Sequence, residues 1–170
     1  MPDFNAVALF EALNGQRTSR GLSWAQLADE LWEQSAVLNA RRHDHPISPS
    51  TISGMGKRGD TSCQHALFML RWLGRSPESF IPGSANDIPL PLVGPDRRLR
   101  WNLRALYDAL DARRKELGMT WRQVALALHC TSNQLTNIKR ARFAIGMKLA
   151  MRIVQWLGRP AADFVYAAKW

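Results

Sequence analysis

Between Met119 and Arg142 the chain reads MTWRQVALALHCTSNQLTNIKRAR, and its second half crowds Thr131, Ser132, Asn133, Gln134, Thr136 and Asn137 together. Each of these side chains offers a neutral hydrogen-bond donor, an acceptor or both. Lys139, Arg140 and Arg142 follow directly, with Arg122 upstream and Lys148 downstream. Amides and hydroxyls beside a run of cations suit recognition of a polyanion. They do not suit bond-making chemistry. The chain shows no Gly-rich phosphate loop, no acid pair at a workable spacing, no metal-ligand cluster and no nucleophile motif, so neither an enzyme nor a cofactor is expected.

Charge distribution sharpens this reading. The chain of 170 residues carries a formal net charge of +9. Residues 1–80 balance eight Lys/Arg against eight Asp/Glu, and residues 81–99 balance two against two. Residues 100–170 hold thirteen Lys/Arg and four Asp/Glu, so the whole excess (13 − 4 = +9) sits there. A small basic unit of this kind predicts a polyanionic partner, usually nucleic acid or an anionic membrane face. Apolar residues make up 46%, enough to bury a core. No apolar run is long enough to span a bilayer and Met1–Asn5 lacks the basic and apolar regions of a signal peptide, so a cytoplasmic protein without a membrane partner is expected. Cys63 and Cys130 form no CxxC pair, and the pair His43 and His45 has no third ligand nearby, so no disulfide or metal site is expected.

The elements that must position the polar cluster occur twice. LFEALNGQRTSRGLSWAQLADEL (Leu9 to Leu31) aligns without gaps on LYDALDARRKELGMTWRQVALAL (Leu106 to Leu128), and ALFMLRWLGRSPESF (Ala66 to Phe80) aligns on AMRIVQWLGRPAADF (Ala150 to Phe164). The duplication predicts two small all-α units, residues 1–80 and 100–170, of five short helices each. In the second unit the spacing predicts a helix from about Leu103 to Glu116 closed by Gly118, then one capped by Thr120 with Gln123 three residues on. A third starts near Ser132. A fourth carries Met147, Ala150, Met151, Val154 and Leu157 and ends at Gly158, and Pro160 opens the last. Ser23 and Gln26 repeat the capping device in the first unit. Residues 81–99, with Pro82, Pro89, Pro91 and Pro95, predict a semi-extended linker that could reach roughly 60 Å. Hardly any strand signal is present.

Ala125, Leu128, Leu135 and Ile138 have the spacing of a helix-turn-helix. With LSWAQLADEL…SPSTIS, MTWRQVALAL…TSNQLTN and a WLGR after each, the chain resembles the phage-repressor-like (Cro/CI, XRE-type) helix-turn-helix family over most of its length outside the linker. That resemblance implies two lambda-repressor-like domains joined by the Pro-rich linker. It also implies a third helix in the major groove of double-stranded DNA, where Ser132, Asn133, Gln134, Thr136 and Asn137 contact bases. Arg122, Lys139, Arg140, Arg142 and Lys148 would then hold phosphates. His129 stands where the family usually has glycine, at a turn that often needs a positive φ.

The first unit departs further from the family. Its SPSTIS places Ser50, Thr51 and Ser53 in base-contacting positions and Lys57 and Arg58 in phosphate-contacting ones. However, Gly54 and Gly56 interrupt its third helix, and an insertion near 32–46, with Arg41, Arg42, His43 and His45, lengthens the turn. The function implied is a sequence-specific transcriptional regulator, most simply a repressor, reading mainly with the second unit. The first unit would be a weaker reader, a homodimer contact or a grip on another protein. The competing reading is a protein-interaction module, such as an antitoxin or anti-regulator, built on the duplicated fold.

Overall fold

The computed structural model describes residues 1–40, 47–85, 87–140 and 145–169. It is mostly helical. The first repeat comprises α1 (Ala6–Ser19), α2 (Trp24–Glu33), α3 (Ala36–Asn39), α4 (Pro49–Ser53), α5 (Met55–Arg58) and α6 (Cys63–Leu73), followed by a 3₁₀ turn at Pro77–Phe80. The second comprises α7 (Leu103–Glu116), α8 (Trp121–Ala127), α9 (Ser132–Asn137) and α10 (Met147–Leu157), with 3₁₀ turns at Ile138–Arg140 and Ala161–Phe164. Gly118 and Gly158 close α7 and α10 at φ 62° and 67°. Ser23 and Gln26 at α2, like Thr120 and Gln123 at α8, form complete reciprocal capping boxes.

Two short strands depart from the expectation of almost none. β1 (Arg98–Trp101) pairs antiparallel with β2 (Val165–Ala168), Arg98 opposite Ala168 and Trp101 opposite Val165. Four residues per strand leave too short an alternation to read in sequence. The pairing is carried instead by its setting: Leu99, Trp101, Val165 and Ala168 are buried. Arg98 is buried too, its guanidinium donating to Asn39 Oδ1 at 2.7 Å.

The repeats reproduce each other in side-chain detail. Phe10 stacks on Trp24 with centroids 5.6 Å apart, and Tyr107 stacks on Trp121 at 5.5 Å. Arg17 lies over Trp24 and donates to the Leu22 carbonyl, while Arg114 lies over Trp121 and donates to the Met119 carbonyl. The WLGR…F motif acquires a physical meaning: Arg75 sits 4.1 Å from the Phe80 ring centre and Arg159 sits 4.5 Å from that of Phe164. Such cation–π contacts are worth about 0.5–1 kcal/mol at exposed sites.

Buried side chains of both repeats form one continuous cluster, from Phe4, Leu9 and Leu13 through Leu67 and Met69 to Leu106, Met151 and Phe164. The linker's full reach is not used. Arg71 donates to the carbonyls of Val93 and Gly94 and to Ser35 Oγ, and the Leu38 amide donates to the Pro95 carbonyl, so the segment is fastened along the first repeat. Among the described residues no helix is long and apolar enough to cross a membrane.

Candidate nucleic-acid interface

The α8–α9 unit is built on Val124, Ala125, Leu128, Leu135 and Ile138, all buried. Ala125 gives a close crossing, and its carbonyl accepts from the Cys130 amide at 3.0 Å. His129 takes φ 52°, alone among the described non-glycine residues in the left-handed region. That sharp turn sends the chain into α9 with Thr131 as its cap.

The structure sorts the six polar residues into two groups. Gln134 Oε1 accepts from the Thr131 amide at 2.9 Å, and Thr131 Oγ1 accepts from the Gln134 amide at 3.2 Å. Thr136 Oγ1 turns back to donate to the Ser132 carbonyl at 3.2 Å. These three side chains are engaged in closing their own helix. By contrast the side chains of Ser132, Asn133 and Asn137 bond to no described residue; Asn133 and Asn137 are exposed and Ser132 is half-exposed. Of the residues expected to contact bases, then, Gln134 and Thr136 have part of their hydrogen-bonding capacity committed inward.

Arg140 and Lys148 share a cleft with α9, and Lys139 Nζ lies 6.0 Å from the Tyr107 ring centre. Arg122, Lys139 and Arg140 are exposed, and none has a carboxylate partner among the described residues. Lys148 is half-buried at the start of α10, and Arg142 lies outside the described residues. Beside the tip is a cleft of about 670 Å³, whose lining includes Gln134, Asn137, Arg140, Lys148, Arg152 and Asp60. Asp60 comes from the first repeat: its Oδ1 accepts from the Lys148 amide at 3.2 Å and so supplies the cap that Gly146 cannot. Arg152 braces the other wall. It grips Asp3 through two bonds of 2.7 and 2.9 Å and donates to the Leu128 and His129 carbonyls at 3.3 Å each. The hydrogen bond from Arg152 holds the Asp3 carboxyl below its ordinary range.

In the first repeat, α4 and α5 break at Gly54, opposite the place where α9 gives way to its 3₁₀ turn. The break is thus shared by both repeats and is not owed to glycine alone. Gly56 has a separate reason: a Cβ there would lie 3.2 Å from the Phe10 ring. Ser50 is exposed, while Thr51 and Ser53 are half-exposed. Ser48 Oγ pairs with Ser50 Oγ at 3.0 Å and Thr51 Oγ1 at 2.8 Å. Lys57 is exposed, but Arg58 folds back to donate to the Thr51 carbonyl at 2.5 Å, so its reach toward a phosphate is reduced. Arg41, Arg42, His43 and His45 lie outside the described residues. No metal-binding group of His, Cys, Asp and Glu occurs among the described residues.

Sequence reasoning missed Asp60, Asp3 and Arg152, whose partners lie far along the chain and follow no motif. It also passed over the Thr131–Gln134 box, although the spacing repeats Thr120–Gln123. Compared with protein-family models, with curated proteins and with solved structures, the chain finds no match. Only its own residues and geometry speak to what this surface binds.

Proposed function

We propose that the protein is a sequence-specific double-stranded DNA-binding regulator, acting as a repressor, with two lambda-repressor-like units of which the second is the main reader. One observation carries this: the side chains of Ser132, Asn133 and Asn137 are left unspent at the surface of α9, in a unit whose Arg122, Lys139 and Arg140 are also exposed and whose Arg140 and Lys148 line one cleft with Asn137. An asparagine amide can pair bidentately with adenine N6 and N7 in the major groove, and a serine hydroxyl can serve several bases. The cations fix register on the phosphates without reading sequence. Repression follows if the bound chain occludes a promoter.

The test is binding-site selection from random duplexes with the full chain, repeated with Asn133→Ala and Asn137→Ala. Each substitution should relax preference at one base pair and weaken the selected site by about 1–3 kcal/mol, while leaving binding to unrelated duplexes unchanged. If the full chain selects no sequence, or captures a protein stoichiometrically while ignoring DNA, the reading fails in favour of an interaction module.

A further inference from the structure

The two repeats meet through equivalent residues. In the alignment that places Ala66 on Ala150, Ser62 falls on Gly146, Cys63 on Met147 and Thr61 on Ile145. Ser62 and Gly146 form an antiparallel bridge with each other. The Cys63 amide donates to the Ile145 carbonyl at 2.8 Å, and the Met147 amide donates to the Thr61 carbonyl, also at 2.8 Å. Each bond is the other with the repeats exchanged. Only a two-fold rotation relates two copies in this way; a translation or a screw would set each position against a different one.

A second contact, at the level of elements, has the same character. α6 packs on α10, its own counterpart. The segment leading into α1 bonds to α10, and the segment leading into α7 bonds to α6. The Pro2 carbonyl accepts from Gln155 of α10 at 3.0 Å, and its counterpart, the Leu99 carbonyl, accepts from Gln64 of α6 at 2.7 Å. The donors sit seven residues apart in the aligned helices, about 10 Å along the axis, so these two contacts are not equivalent and the two-fold rests on the backbone bridge and on the packing of α6 against α10.

We infer that one chain is a covalent pseudo-dimer and that its DNA site is a pair of unlike half-sites in inverted orientation, one read by α9 and the other by α4. The inference rests on the DNA-binding reading above. The recognition segments enter the bridge at equivalent points of the chain: α5 ends at Arg58, shortly before Ser62, and the turn after α9 ends at Arg140, shortly before Gly146. A dyad between two reading helices presents them to one duplex in opposed directions. The sequences they present differ. When Ile52 and Met55 are set on Leu135 and Ile138, Ser50 falls on Asn133 and Gly54 on Asn137. The first half-site is therefore read by a hydroxyl where the second is read by an amide. A symmetric homodimer reads a palindrome; this molecule has the symmetry of the frame without the symmetry of the letters, and no second chain is needed to complete it.

Selection from random duplexes with the full chain tests this directly. The result expected is two dissimilar half-sites in inverted orientation at one spacing, with one chain per duplex by sedimentation of the complex. Ser50→Asn should then change base preference by about tenfold at a position in the α4 half-site and leave the α9 half-site untouched. A single half-site, a direct repeat, or a true palindrome carrying two chains overturns the pseudo-dimer and leaves α9 as a DNA reader. Selection of no sequence at all overturns both.

Discussion

The cations around α9 make a quantitative prediction about salt. On the proposed DNA-binding reading four of them, Arg122, Lys139, Arg140 and Lys148, neutralise phosphates, and the first three are exposed without a carboxylate partner among the described residues. Each phosphate neutralised contributes about −0.9 to the slope of log K against log salt, so these four alone give about −3.6, and contacts from the first repeat steepen it further. Raising salt from about 50 to about 200 mM should then weaken binding at least about 150-fold. Arg140→Ala should flatten the slope by about 0.9, and on counterion release alone it should cost about 15-fold at the lower salt but only about 4-fold at the higher. Lys115→Ala is the control. That cation is exposed but bonded to Asp111 at 2.9 Å on α7, and the slope should not move. Fluorescence anisotropy of a short labelled duplex titrated with each variant across the salt series measures all three. A slope near zero in the wild type, or one that Arg140→Ala leaves unchanged, refutes the placement of the phosphate contacts. A slope that falls equally for Lys115→Ala shows diffuse attraction to the whole basic half instead of a local clamp.

The Asp3–Arg152 pair joins the start of the chain to α10, and because Arg152 holds the Asp3 carboxyl below its ordinary 3.8, the pair stabilises above that pH and loses its effect as the pH falls through the folded value. Asp3 is 42% exposed, so after solvent screening the pair is worth at most about 1 kcal/mol. Asp3→Asn should lower Tm by about 2–4 °C at neutral pH and by nothing near pH 2; an equal loss at both assigns the effect to packing. Gly56→Ala would gain helix propensity of about 1 kcal/mol, and overpacking against Phe10 costs about 1–3, so the usual gain should be cancelled or reversed in thermal melts, and a Tm raised by the full propensity gain shows that the Phe10 ring yields freely. At His129, with φ 52°, stability should rank Gly above His above Val, since a β-branched side chain tolerates that region worst; Val matching His removes the turn from the account.

The units were legible where the physics is local. Ser23–Gln26 and Thr120–Gln123 announce their helices because a cap is closed within four residues, and Gly118 and Gly158 stop them because an α-helix ends cheaply only where positive φ is allowed. The apolar spacing from Val124 to Ile138 marked the buried face of the α8–α9 unit for the same reason. What stayed hidden is whatever depends on the second repeat. Asp60 caps α10 from the other repeat, and no window around Asp60 contains that helix. Arg98 looks like a surface cation in the linker, yet it is buried because Asn39 waits for it in the first repeat. The pseudo-dyad is the extreme case. Its contacts at Thr61, Ser62, Cys63, Ile145 and Met147 run through backbone amides and carbonyls, which every residue but proline possesses, so no side-chain pattern encodes them. The duplication is visible in the letters; the way the copies face each other is set by backbone geometry and by which surfaces remain once each core has closed. That is also why the polar tip could be located from sequence while its division into three committed and three free side chains could not. A threonine that caps and a threonine that reads are chemically alike, and only the neighbours decide between them.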